Sequence, residues 1–148
     1  MKNKKAAPHS RFNTARKISI FWTLFIGICA VGGAVTMLVD PSGGRMGMDT
    51  MLPYFNKLPF ADVLFQDFVF SGVALLIVNG ITNMISIYLI HSKSKYDALS
   101  GLMCGGILML WIIVEFYIWG FSGLSVAYGI FAVCQITNAV IFIHTRVL

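Results

Sequence analysis

The sequence predicts an all-α membrane protein: a bundle of four transmembrane helices with a short amphipathic segment between helices 1 and 2. Composition is the first observation, because the 148 residues are 57% hydrophobic and only 11% charged, whereas a soluble domain carries roughly 25% charged residues. The second is that four continuous apolar runs reach the roughly 20 residues that a helix needs to cross hydrocarbon. Continuous runs also exclude a β-barrel, whose strands would alternate in polarity.

Two regions make up the predicted chain: a basic tail, residues 1–17, and a four-helix transmembrane domain, residues 18–148. The tail is polar, and we expect it to be disordered and to lie near an anionic membrane surface. The first apolar run is too long for the core of a cleaved signal peptide, so it is interpreted as a span. The predicted spans cover about residues 18–39, 65–90, 99–119 and 124–143.

The positive charges predict the orientation of the chain. Nine of the 11 Lys and Arg residues lie in the tail, between helices 2 and 3, or at the C-terminus, and only Arg45 and Lys57 lie on the other side. The positive-inside rule therefore predicts that both termini are cytoplasmic. The net charge of +5 follows from this asymmetry, and no nucleic-acid partner is expected.

The connection over residues 40–66 is the one long segment between predicted helices. Helix 1 is expected to stop at Asp40-Pro41, because the residue before a proline disfavours the helical conformation. Further along, apolar residues recur near helical spacing and predict an amphipathic segment lying on the outer membrane surface. These residues are Met48, Met51, Leu52, Phe55 and Leu58.

Four amide side chains are predicted to form a polar layer inside the membrane. Asn79 and Asn83 share one face of helix 2, and Gln135 and Asn138 share one face of helix 4. Counting about 1.5 Å per residue puts both pairs at a similar depth. Two interpretations stay open: the amides bond the helices together, at about 0.6 kcal/mol each, or they line a polar half-channel for a small substrate.

Glu115 is the one acidic residue in the apolar run WIIVEFYIW, residues 111–119. Trp111 and Trp119 lie four residues away on either side, on the same helix face. Because helix 3 is expected to end near Trp119, the carboxylate is placed near the outer interface, where a charge costs less than at the bilayer centre. Tyr128 and Ser71 are its candidate partners.

Two interpretations of Glu115 follow. In the structural one, the carboxylate reaches external water or bonds to Tyr128. In the functional one, it is a desolvated carboxylate between indole rings that binds a cation or couples a proton. Asp residues on the same side of the membrane would add an attraction for cations.

The sequence contains no motif for catalysis or for a cofactor. HExxH, P-loop, GxSxG and EF-hand patterns are absent. Each of the three cysteines lies in an apolar run without a CxxC spacing, and each of the three histidines lies at or beyond the ends of the spans, where it could not ligate haem inside the bundle. We therefore expect no metal site, no cofactor, no catalytic residue and no enzymatic activity.

Three segments carry a resemblance to known proteins: DPSGGRMGM, LPFADVLFQDFVFSGVALLIVNG and LMLWIIVEFYIW. They resemble a group of small bacterial four-helix membrane proteins, in which a DP-plus-Gly turn follows helix 1 and a PF element leads into helix 2. The general plan is also similar to that of DoxX-like proteins. The resemblance implies a multi-pass protein of the bacterial plasma membrane and implies no activity.

Two classes of function are compatible with these observations. The first is a non-enzymatic membrane component or accessory subunit that acts through contacts with lipids and a partner membrane protein. The second is a small transporter or ligand-binding bundle that uses Glu115 and the amide layer, as a homo-oligomer, since four helices barely enclose a pathway. Whether Glu115 faces a cavity or lipid distinguishes the two classes.

Overall fold

The computed structural model describes the backbone of residues 6–147 and the side chains of residues 10–145. This part of the chain is helical and contains no strand, which confirms the predicted fold class. The α-helices are α1 (Ala6–Val39), α2 (Ala61–Leu64), α3 (Val69–His91), α4 (Asp97–Trp119) and α5 (Gly123–Val147). All but α2 contain a stretch long and apolar enough to cross a membrane, and the chain is a multi-pass membrane protein.

The four long helices alternate in direction along the bundle. Helix α1 contacts α3, α4 and α5, and α4 packs most extensively on α5. We call one end of the bundle the lid end, where the chain leaves α1, enters α3 and passes from α4 to α5. The opposite end, which carries the turn between α3 and α4, is called the terminal end.

The tail was expected to be disordered, and this is wrong over residues 6–17, because α1 begins at Ala6. Pro8 falls in the first turn, where a missing N–H breaks no helical hydrogen bond. One turn further on, the Phe12 ring packs on Phe142 of α5, with ring centroids 5.3 Å apart. Packing against the bundle therefore continues the helix beyond the apolar run. Lys2, Lys4 and Lys5 lie outside the described residues.

Arg16 anchors this extension of α1 to the end of α3. Its Nη2 donates to the carbonyl oxygens of Ile90 at 2.7 Å and His91 at 3.1 Å. The last carbonyls of a helix have no partner within the helix and carry a partial negative charge. The basic residue thus stabilises the end of α3 as well as contributing to the charge asymmetry.

Helix α3 begins at Val69 rather than at the predicted residue 65. The carboxylate of Asp67 accepts a hydrogen bond from the Val69 N–H at 2.8 Å, which satisfies a free donor of the first turn. Just before it, the Phe68 N–H donates to the Pro41 carbonyl at 2.9 Å. These two bonds hold residues 65–68 in a non-helical conformation beside the end of α1.

The connection between α1 and α3 folds over the lid end. It contains two 3₁₀-helices, Gly44–Met46 and Asp49–Lys57. We call residues 43–58 the lid. The predicted amphipathic segment is confirmed, but its apolar side chains pack on the helix bundle, and its position on the membrane surface stays a prediction.

Phe55 anchors the lid to the helix bundle. Its side chain is 2% exposed, and its ring lies 4.9 Å from Phe65, 5.6 Å from Phe68 and 5.4 Å from Trp119, measured between centroids. Beside it, Lys57 Nζ donates to the carbonyl of Ile118 near the end of α4 at 2.9 Å. The lid is therefore attached by aromatic packing to the segment that precedes α3 and to the end of α4, and by a charged hydrogen bond to α4.

Candidate ligand site

A cavity of about 430 Å³ lies inside the lid end of the bundle. Helices α1, α3, α4 and α5 form its walls and the lid covers it. Most of its lining is apolar and includes four methionines, whose flexible side chains adapt to irregular shapes. These are Met37, Met46, Met48 and Met51.

Glu115 lines this cavity and is held by hydrogen bonds to both carboxylate oxygens. The indole Nε1 of Trp111 donates to Oε1 at 2.6 Å, and the hydroxyl of Ser125 donates to Oε2 at 2.7 Å. The bond from Trp111 lies within α4, and the bond from Ser125 crosses from α5. Two short donated bonds fix the orientation of the carboxylate toward the cavity.

The start of α5 holds Ser125, whose hydroxyl bonds to Glu115, in place. Ser122 precedes the helix, and its Oγ accepts the backbone N–H of Ser125 at 3.1 Å, as expected of an N-cap. The same hydroxyl donates to Ser125 Oγ at 2.9 Å. Because Ser125 then donates to Glu115, a chain of hydroxyl groups runs from the lid end to the carboxylate.

No cationic side chain in the described part of the protein pairs with Glu115. The two donors, Trp111 and Ser125, are neutral, and no Lys, Arg or His among the described side chains contacts the carboxylate. A charge removed from water is costly unless another charge and hydrogen bonds compensate it. The carboxylate therefore has its hydrogen-bond donors but no countercharge from these residues.

The other residues predicted around Glu115 have different roles. Trp119 turns away and packs on Phe55 of the lid, and its buried indole N–H has no partner. Tyr128 and Ser71 line the same cavity as Glu115, but neither forms a hydrogen bond to it within the described residues. The predicted pairing of Glu115 with Tyr128 is therefore wrong, and Ser125 takes that position.

Asn79 lines the cavity from α3. It is 1% exposed, and neither its side-chain Nδ2 nor its Oδ1 has a hydrogen-bond partner. The residue belongs to a π-helical stretch, Leu76–Ile81, and such distortions of an α-helix frequently occur at functional sites. The sequence predicted this amide inside the membrane but gave no sign of the π-helix.

Asn83 and Gln135 form the predicted bridge between helices. Gln135 Nε2 donates to Asn83 Oδ1 at 3.2 Å and contacts Thr23 Oγ1 of α1 at 3.5 Å. Asn83 Nδ2 in turn donates to the backbone carbonyl of Asn79 at 2.7 Å. This part of the polar layer joins α1, α3 and α5, as the structural interpretation predicts.

Asn138 belongs to a separate contact nearer the terminal end. Its Nδ2 donates to Ser19 Oγ at 2.7 Å and to the carbonyl of Ala15 at 3.2 Å, both on α1. The four amides therefore do not form one cluster. Asn83 and Gln135 bridge α1, α3 and α5, and Asn138 bonds α5 to α1. The side chain of Asn79 has no hydrogen-bond partner and lines the cavity.

Sequence analysis missed Ser125, Ser122 and the inward-facing lid. A signal for the serines was present, because Ser122-Gly-Leu-Ser125 places a capping residue at the start of an apolar run. Nothing in the sequence indicated that Ser125 faces Glu115. Within the described residues, no group of three His, Cys, Asp or Glu side chains lies close enough to hold a metal ion.

Comparison of the chain with protein-family models, with curated proteins and with solved structures gives no match. The cavity and the residues that line it are therefore the features that indicate a function.

Proposed function

We propose that this protein is a ligand-binding bundle of the bacterial plasma membrane, which holds a small and mostly apolar molecule in the cavity beneath the lid. In this proposal both termini are cytoplasmic and the lid faces outward, as the distribution of Lys and Arg indicates. The observation that carries the proposal is a cavity of about 430 Å³ whose mostly apolar lining includes Glu115 without a countercharge and Asn79 without a hydrogen-bond partner.

The size and lining of the cavity support this proposal. Sites for small molecules occupy roughly 300–1,000 Å³ and combine a mainly apolar wall with a few placed polar groups. An unpartnered amide such as that of Asn79 costs about 1–3 kcal/mol in folding. A bundle stabilised only by packing would gain from an apolar residue at that position, whereas a binding site needs the amide.

Photolabelling tests the proposal directly. Protein in nanodiscs of zwitterionic lipid would be irradiated with octanol that carries a diazirine, and labelled peptides would be identified by mass spectrometry. We expect label on cavity-lining residues of α1, α3 and α4, in addition to label on lipid-facing residues. A wild-type protein with label only on its lipid-facing residues would overturn the proposal and leave a membrane component that acts through surface contacts.

Two neighbouring substitutions on α3 provide a matched control. Ala74 lines the cavity, so Ala74→Phe should fill part of it and remove label from the cavity peptides. Val73 is 41% exposed on the outside of the bundle, so Val73→Phe should leave the cavity labelling as in the wild type. Equal labelling in both variants would show that the label does not report on the cavity.

A further inference from the structure

We propose that the ligand is an amphipathic amine, with its ammonium group at Glu115, its apolar body along the cavity wall and a hydrogen-bonding group at Asn79. This inference rests on the proposed function and specifies the class of molecule bound. It follows from the charge, the lining and the depth of the two polar groups.

The ionised form of Glu115, which only accepts hydrogen bonds, can form every bond seen around it. The Trp111 indole N–H donates to one oxygen, and the Ser125 hydroxyl lies within hydrogen-bond distance of the other. A ligand that supplies a cation would provide the missing countercharge, and an anionic ligand would be repelled.

The surroundings of Glu115 favour an organic cation. Trp111, Trp119 and Tyr128 line the cavity with Glu115, and aromatic faces attract ammonium groups by about 0.5–2 kcal/mol. A bare metal ion would instead require several oxygen ligands, and the described residues offer no cluster of three His, Cys, Asp or Glu side chains. The site therefore favours an ammonium group attached to an apolar body.

Asn79 indicates a second polar group on the ligand. Glu115 lies four residues from the end of α4 at Trp119, and Asn79 lies ten residues from the start of α3 at Val69. At about 1.5 Å per residue, Asn79 is about 9 Å farther from the lid end than Glu115. Its Nδ2 and Oδ1 are buried without a hydrogen-bond partner, and a hydroxyl, carbonyl or amide group at the far end of the ligand would pair with them after a small shift of the side chains that cover them.

Three eight-carbon probes separate these contributions: octanol, octylamine and an octylamine with a hydroxyl group on its last carbon. Each would compete with the diazirine-bearing octanol for the cavity peptides, in nanodiscs of zwitterionic lipid. We expect octylamine to compete at least about tenfold better than octanol, since a charged hydrogen bond contributes about 1.5–3 kcal/mol. The amino alcohol should improve on octylamine by about fivefold, from one neutral hydrogen bond of about 1 kcal/mol.

Variants then assign each preference to its residue. Glu115→Gln should abolish the preference of amine over alcohol, whereas Asp49→Asn, which changes an exposed carboxylate of the lid, should keep it. Asn79→Leu should abolish the gain from the terminal hydroxyl. Octanol and octylamine competing equally in the wild type would overturn the inference while leaving the cavity site intact, and no labelling of the cavity would refute the proposed function itself. The ratio between competition by octylamine and competition by octanol in the wild type tests the inference even if a variant does not fold.

Discussion

Gln135 donates a side-chain N–H to Oδ1 of Asn83 at 3.2 Å and so joins α5 to α3 inside the bundle. One turn away on α3, Asn79 is equally buried and has no partner for its side-chain amide. We therefore expect these two asparagines of one helix face to have opposite effects on stability. The difference supports the assignment of Asn83 to structure and of Asn79 to the ligand.

Substitution of these two asparagines should change stability in opposite directions. Asn83→Leu leaves the Gln135 amide without its main acceptor in a buried site, and should lower the free energy of unfolding by about 1–3 kcal/mol. Asn79→Leu removes an amide without partners, and should leave the protein as stable or more stable. Thermal melting in detergent measures the stability of both variants. A large loss of stability in Asn79→Leu would show that this amide has a structural partner.

The Glu115–Ser125 bond should couple the two residues energetically. A double-mutant cycle with Glu115→Ala and Ser125→Ala, which each remove one of the two bonded groups, isolates their interaction. We expect a coupling larger than the roughly 0.6 kcal/mol average for hydrogen bonds between membrane helices, because an ionised carboxylate accepts this one. A cycle over Ser86 and Ser100, whose neutral hydroxyls lie 2.8 Å apart, is the matched control. Equal coupling in the two cycles would argue that Glu115 is not ionised.

The lid should depend on glycine at position 43 more than at position 47. Both have a positive φ, +76° and +63°, where a side chain adds about 1–2 kcal/mol of strain. A Cβ at Gly43 would also lie 2.6 Å from a ring carbon of buried Phe68, whereas a Cβ at Gly47 meets no atom within 4 Å. Gly43→Ala should therefore destabilise the protein clearly more than Gly47→Ala, as measured by melting temperature and by proteolysis of the lid.

The turn that leads into the lid should weaken in acid. Asp40 accepts hydrogen bonds from the Ser42 hydroxyl at 2.6 Å and the Arg45 backbone N–H at 2.8 Å. These bonds, with that from Ser42 as the larger effect, lower the pKa of Asp40 below its usual 3.8. A carboxyl with a lowered pKa stabilises the folded state above its usual pKa, and this stabilisation disappears as the pH falls through the lowered value.

Proteolysis of the lid across pH measures this effect. Above pH 3.8, wild-type protein should resist proteolysis better than Asp40→Asn, and the difference should shrink in more acidic buffer. Ser42→Ala should reproduce part of the loss, because it removes the stronger of the two donors. A difference between wild type and Asp40→Asn that does not change with pH would contradict the role of the charge.

Single cysteines should report the orientation of the bundle. In a background without the three native cysteines, Thr50→Cys places an exposed thiol on the lid, and Ser92→Cys places one in the exposed turn between α3 and α4. Nine Lys and Arg lie in the segments of the sequence predicted to be cytoplasmic, against two between α1 and α3, so an impermeant maleimide added to intact cells should label only Thr50→Cys. Labelling of both sites, or only of Ser92→Cys, would contradict the proposed orientation.

The sequence by itself determined the number of candidate spans, the face that each pair of amides shares and the position of Glu115 near the end of its helix. These are local properties: the length of an apolar run decides whether a helix can cross a membrane, and helical periodicity decides which residues share a face. The same criteria failed for residues 6–17, because Phe12, whose contact with Phe142 extends the helix, lies outside the apolar run that begins at residue 18.

Only the tertiary structure decided which partners these residues meet. Trp111 and Trp119 are equally spaced from Glu115 in the sequence, yet Trp111 bonds to it and Trp119 packs on the lid. That choice depends on how α4 is rotated against α5, which brings Ser125 to the carboxylate. Likewise, the apolar side of the lid turned inward because the bundle offers Phe55 an aromatic pocket that lipid does not. Contacts between distant segments depend on the packing of all four helices at once, and no short stretch of sequence contains that information.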